Sequence, residues 1–183
     1  MADKELRVVC LGDSITWGFP HGSEYSWVHM LEQQIEGEFI NQGINGNTTT
    51  DMLRRFDRCV LRYAPTHVII MGGINDIIWG DSYDRITLNL ETMVKLAAKH
   101  GIKVILGTPT AVNQPSIERL ILRIRTWVKS YAREHDIPII DFGAAFIDAS
   151  GKVRAELLLA DGAHPTRAGY EALFQQIDPE VFR

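Results

Sequence analysis

The sequence has 183 residues, the length of one domain of ordinary size. Apolar residues at 45% and charged residues at 23% give the balance of a folded globule, which excludes the disordered, collagenous and low-complexity classes. The 19 basic and 23 acidic side chains leave a net charge of -4, and no Lys/Arg block is present, which argues against nucleic acid and anionic membrane surfaces as partners.

Taken in chain order, the first expected strand runs from Arg7 to Leu11, with Asp3 and Glu5 ahead of it. Acidic residues there fail the pattern of a secretory leader, so the expected location is the cytoplasm. Trp27, Met30, Leu31, Gln34 and Ile35 then follow the i, i+3, i+4 spacing of a helix. Glu38 to Asn41 is the second strand, and Met52, Leu53, Phe56, Val60 and Leu61 form the second helical stripe. The third strand, His67 to Met71, is continuously apolar, as a strand buried on both faces must be. The run it belongs to, Val68 to Ile74, is far short of the ~20 residues of a membrane span. Leu88, Met93, Leu96 and Ala97 make a third helix that stops at His100-Gly101. Lys103 to Leu106 is the fourth strand, followed by a helix carrying Ile117, Leu120, Ile121, Ile124, Trp127, Val128 and Tyr131. Pro138 to Ile140 is the fifth strand. The connection from Asp141 to Asp161 is of a length that often carries function. A last helix follows His164, with Pro165 in its first turn and Leu173, Phe174 and Ile177 inward.

Strands alternating with helices specify a parallel α/β sheet in one domain spanning residues 1–183. Ligands of such sheets sit beyond the carboxyl ends of the strands, and those ends are unusually polar here. They carry Gly12-Asp13-Ser14, then Asn41 to Gly46, then Gly73-Ile74-Asn75-Asp76; after the fifth strand comes Asp161-Gly162-Ala163-His164-Pro165. Each alone reads equally well as a cap or turn residue. In the flavodoxin-like order 2-1-3-4-5, however, the loops with Ser14, Gly46 and Asn75 are neighbours. The fifth strand lies about 14 Å from the first at ~4.8 Å per strand. The segment Phe142 to Ala160 spans up to ~60 Å at ~3.3 Å per residue, enough to bring Asp161 and His164 over Ser14.

These residue types suit acyl transfer. A serine hydroxyl needs a base within hydrogen-bond reach, the base is best a histidine, and a carboxylate must fix the imidazole tautomer. Ser14, His164 and Asp161 fill these roles, while the N–H groups of Ser14 and Gly46 and the carboxamide of Asn75 are candidate donors to the oxyanion. His100 and His135 end helices, His29 lies within one and His67 opens a strand; His21, in the loop after Ser14, is a candidate for touching substrate. Cys10 and Cys59 lack any Cys-x-x-Cys spacing and read as buried thiols, and with no metal-ligand spacing anywhere, no metal is required.

At these residues the chain resembles the SGNH, or GDSL, hydrolase family of esterases, acyl-thioesterases, lysophospholipases and carbohydrate deacetylases. The blocks appear as Gly12-Asp13-Ser14-Ile15, with Ile for the usual Leu, then Asn41-x-Gly43-Ile44-x-Gly46-x-Thr48, Gly73-Ile74-Asn75-Asp76 and Asp161-x-x-His164-Pro165. The resemblance covers nearly the whole chain. It implies a three-layer α/β/α fold, no cofactor, Ser14 as nucleophile, Asp161 and His164 as its partners, and Gly46 rather than Gly43 as the second oxyanion donor beside Asn75. The Gly-x-Ser-x-Gly of α/β-hydrolases is absent around Ser14.

No lid-sized insertion is present, so the expected cleft is shallow and its substrates are small or single-chain carboxylic esters or thioesters. Trp17, Phe19, Tyr25, Trp79 and Tyr83 are candidates for an apolar wall as well as for core packing, and the loop Thr108 to Asn113, with Pro109, is another. Two alternatives stand beside the esterase reading, a carbohydrate O-deacetylase of the same family and a non-catalytic flavodoxin-like binding module. An Asp-x-Asp phosphotransferase fails, because Ile15 stands where the second Asp is needed.

Overall fold

The computed structural model describes residues 5–183; Asp3, used above for the N-terminal reading, lies outside the described residues. Five parallel strands, β1 (Arg7–Gly12), β2 (Glu38–Gly43), β3 (His67–Ile70), β4 (Lys103–Gly107) and β5 (Ile139–Ile140), form one sheet in the order β2-β1-β3-β4-β5. Side chains alternate across a strand, so one β1 sends its residues to two cores. Val8 and Cys10 face Trp27, Leu31, Tyr170 and Leu173, whereas Val9 and Leu11 face Met52, Phe56, Leu90 and Met93. The first group belongs to helices α2 (Trp27–Gln34) and α8 (Arg167–Phe174). The second belongs to α3 (Thr49–Arg54), α4 (Phe56–Cys59) and α6 (Tyr83–Lys99), with α7 (Pro115–Glu134) on the same side through Ile124 and Val128. Helices on both faces of a buried sheet are the three-layer α/β/α arrangement expected from the resemblance. Each fully buried Leu, Ile or Phe here contributes roughly 1.5–3 kcal/mol, and Cys10 and Cys59 are buried free thiols.

Several boundaries differ from the expectation for local reasons. Strand β2 runs two residues further because Gln42 and Gly43 pair with Leu11 and Gly12. The second helical stripe is broken into α3 and α4 at Arg55. A short helix α5 (Ile74–Trp79), too brief for a periodic signal, follows β3. Leu88 is 62% exposed, and α6 faces the sheet with Ile86, Leu90, Met93, Val94 and Ala97 instead. Pro165 is not in the first turn of α8: it pairs with Leu158 in an antiparallel bridge, and Thr166 caps the helix by accepting the Gly169 N–H at 3.1 Å.

The long connection is not slack. It opens as a 3-10 helix (Phe142–Phe146), turns back through an antiparallel bridge of Ile147 with Val153, and adds a second 3-10 turn (Ala155–Leu157). Phe142, Phe146 and Leu157 are buried against α2 and α8, which fixes where the segment delivers Asp161.

Candidate active site

Strand β1 ends at Gly12, and Asp13 caps the short helix α1 (Ser14–Trp17) by accepting the Ile15 N–H at 2.9 Å. Ser14 opens that helix and is 7% exposed. Its Oγ lies 3.1 Å from His164 Nε2, and His164 Nδ1 lies 2.6 Å from Asp161 Oδ2. The structure thus joins three residues, two of which are separated by 150 positions in the chain. Asp161 is not on a helix: it heads a tight turn, its Oδ1 accepting the N–H groups of Ala163 at 2.9 Å and His164 at 3.0 Å. Partial burial works to raise its carboxyl, but the Ala163 N–H, the His164 ring and the His164 N–H outweigh burial and hold it below the usual carboxylate range.

Three further contacts locate the imidazole. The Phe19 ring packs on it with centroids 4.6 Å apart, and the buried Tyr170 hydroxyl donates to the Phe19 carbonyl at 2.8 Å. His21 Nε2 sits 3.1 Å from the Pro165 carbonyl, tying the loop after α1 to the turn that carries His164. The candidate substrate contact His21 is therefore also a brace. Tyr170 was not legible as part of the site, since an inward Tyr on a helix reads as core.

The loops after β2 and β3 carry the other candidates. Gly43 is buried and committed: its N–H donates to Asn41 Oδ1 at 2.9 Å, and a Cβ there would stand 2.2 Å from the Trp17 nitrogen. Gly46 is exposed, with φ 76°, a left-handed conformation that glycine adopts without strain, and a Cβ would meet nothing within 4 Å. Asn75, in the first turn of α5, donates one N–H of its carboxamide to the Asn47 carbonyl at 2.9 Å. The next residue, Asp76, is buried and accepts the Thr49 N–H on both oxygens, at 3.0 and 2.9 Å, together with the Thr49 hydroxyl. Burial pushes Asp76 up despite those hydrogen bonds. Burial likewise raises Asp13, to about 6, with the Ile15 N–H and the His164 charge pulling it down and Asp76 pushing it up.

The expected wall is only partly where it was placed. Trp17 is half-buried at the end of α1, and Trp79 is 75% exposed at the end of α5 rather than packed in the core. Pro109 is buried, as are Thr108, Thr110, Ala111 and Val112, so in that loop only Asn113 is open to solvent. A small apolar cluster is formed by buried Ile74, Val112 and Ile121, with partly buried Ile77, Ile117 and Ala163 packed on it. Ile74 precedes Asn75 and Ala163 precedes His164, so the cluster joins the segments that carry the two. Among the described residues no group of His, Cys, Asp and Glu has a metal-binding arrangement, and no helix is long and apolar enough to cross a membrane.

The GDSL-like lipase/acylhydrolase family model matches residues 10–172. The chain belongs to that family. Among GDSL proteins of known structure, a putative lipolytic protein from Desulfitobacterium hafniense superimposes with a TM-score of 0.85 at 32% identity, covering 93% of this chain and 96% of that one. A catalytic serine-to-alanine mutant of an acetylxylan esterase from Geobacillus stearothermophilus superimposes with a TM-score of 0.79 at 26% identity, over 96% and 93% of the two chains. Esterase TesA of Pseudomonas aeruginosa is 26% identical over 95% of this chain and 87% of its own. Membership makes the chain an acylhydrolase, and the sheet order is the one read from the sequence.

Proposed function

We propose that the chain is a serine hydrolase of small or single-chain carboxylic esters and thioesters with short to medium acyl or aryl groups, its activity carried by one domain spanning the whole sequence. The observation that carries this reading is the unbroken line of hydrogen-bond contacts from Ser14 Oγ through the His164 ring to Asp161. His164 Nε2 takes the Ser14 proton as Oγ bonds to the substrate carbonyl carbon, and the carbonyl π pair moves onto oxygen. Asp161 accepts from Nδ1–H and balances the imidazolium. The oxyanion is held by the N–H of Ser14, which as the first residue of a helix has no intrahelical carbonyl to bond, by the N–H of Gly46, and by Asn75. One Asn75 N–H is committed to Asn47, and a carboxamide has two. That Gly43 is buried with its N–H already bonded supports Gly46 as the donor. The intermediate collapses as the leaving oxygen or sulfur takes the proton from Nε2, and a water activated by the same nitrogen returns Ser14. The apolar cluster of Ile74, Ile117 and Ala163 suits the acyl or aryl group, and exposed Trp79 is a further contact in this reading.

The test is a panel of p-nitrophenyl esters, with an organophosphonate probe followed by peptide mapping. Cleavage, adduct formation at Ser14, and a fall of at least ~10⁴-fold in kcat for Ser14→Ala are expected. No adduct at Ser14 would support the non-catalytic binding module instead. His164→Ala should lower kcat with KM largely kept, and an unchanged kcat would remove His164 from the role. A second reading, O-deacetylation of carbohydrates, is favoured by the likeness to an acetylxylan esterase. Acetylated xylan measured against p-nitrophenyl butyrate separates the two.

A further inference from the structure

Arg55 is 6% exposed, and none of its hydrogen bonds is to a carboxylate. Its Nε donates to Asn47 Oδ1 at 2.7 Å, its Nη2 donates to the carbonyls of Gly12 at 2.8 Å and Gln42 at 2.9 Å, and its buried Nη1 has no partner. The nearby carboxylate of Asp51 is taken by the N–H and hydroxyl of Thr48, at 3.0 and 2.8 Å. A guanidinium is seldom buried against neutral acceptors alone, because its desolvation is costly without an anion, so packing does not account for a cation at this position.

The placement of its acceptors does. Gly12 lies two residues before Ser14, Gln42 belongs to β2 just ahead of the loop that carries Gly46, and Asn47 follows Gly46 directly. The Asn47 carbonyl is also what the Asn75 carboxamide holds. One planar fork therefore ties together the ends of β1 and β2 and the loop that bears Gly46, and through Asn47 it reaches Asn75, a task the single point charge of a lysine cannot perform.

We infer that Arg55 is a positioning residue for the oxyanion site, acting through Asn47 to aim both the Gly46 N–H and the Asn75 carboxamide. The inference rests on the serine-hydrolase reading given above. Loss of one oxyanion donor costs ~10²–10³ in rate, and loosening two without removing either should cost about tenfold less. The experiment measures kcat per active site, with sites counted by organophosphonate titration, so that a fall in the folded fraction does not register. Arg55→Met, Arg55→Lys and Asn47→Leu are each expected to lower kcat per titrated site by about 10–100-fold, with KM changed less than about threefold. The Arg55→Met/Asn47→Leu double variant should fall no further than the worse single one, as expected of residues acting as a unit.

The inference is overturned if Arg55→Met lowers only the number of titratable sites and leaves kcat per site intact. Full activity in Arg55→Lys, or multiplying effects in the double variant, would overturn it equally. Should Arg55→Met not fold, Asn47→Leu keeps the arginine and decides the matter. If the parent protein is not labelled at Ser14 at all, the serine-hydrolase reading is what fails.

Discussion

The two sides of the site are held by different means. Around Ser14, Gly46 and Asn75, buried groups brace three adjacent strand ends: Asp76 grips Thr49, Asn75 grips Asn47, and Arg55 joins Asn47 to β1 and β2. Opposite them, Asp161 has a side chain 47% exposed, and the turn that carries it is held by its own backbone bonds, by His21 on Pro165 and by Phe19 on His164. The difference teaches where stability and chemistry reside. Ser14, Gly46 and Asn75 are tied to the strand ends of the sheet, whereas Asp161 and His164 are presented on a turn that water can reach.

The strongest way to break this comparison is Asp161→Asn. It should lower kcat by about 10⁴, because the amide favours the wrong imidazole tautomer. Yet the melting temperature should barely move, since the side chain is half in solvent. A large loss of stability, seen by thermal unfolding, would show that the turn is braced as firmly as the other side. Asp76→Ala is the converse test. It leaves the buried Thr49 N–H and hydroxyl without their acceptor and should cost about 2–4 kcal/mol in denaturant unfolding.

Asp13, between the two sides, should give the smallest effect and the one with a pH signature. Its native value near 6 lies above the 3.8 of the free side chain, so the folded state holds the proton more tightly. Its favourable contribution is present below the unfolded value and is lost as pH rises through the native one, a swing of at most about 3 kcal/mol. Asp13→Asn, whose oxygen can still accept the Ile15 N–H, should therefore raise stability at pH 8 by about 1–3 kcal/mol and give little gain at pH 4. An equal shift at both pH values would mean that its charge is not what matters.

Much of this was legible in the sequence because it depends on pattern. Alternating strands and helices pointed to a parallel sheet, the flavodoxin-like order expected for it is the one found, and polar residues after the strands marked Ser14, Gly46, Asn75, Asp161 and His164 as candidates. What escaped depends on partners rather than spacing. Arg55 reads as a surface cation inside a helical stripe, and only the carbonyls of Gly12 and Gln42 reveal it as buried. Pro165 carries a helix-start signal that the bridge to Leu158 overrides. Leu88, counted in the third helical stripe, faces solvent, and the loop around Pro109, a candidate wall, folds inward.

The distance along the chain between Ser14 and His164 has a consequence for synthesis. A ribosome releases β1, β2 and β3 long before the turn that bears the imidazole. The emerging chain can pair those strands and set out Ser14, Gly46 and Asn75, but His164 cannot meet Ser14 until the closing segment docks against α8. On the proposed reading the nascent protein stays inert toward esters until the turn of Asp161 and His164 has emerged, and the onset of hydrolysis reports that this connection has found its place.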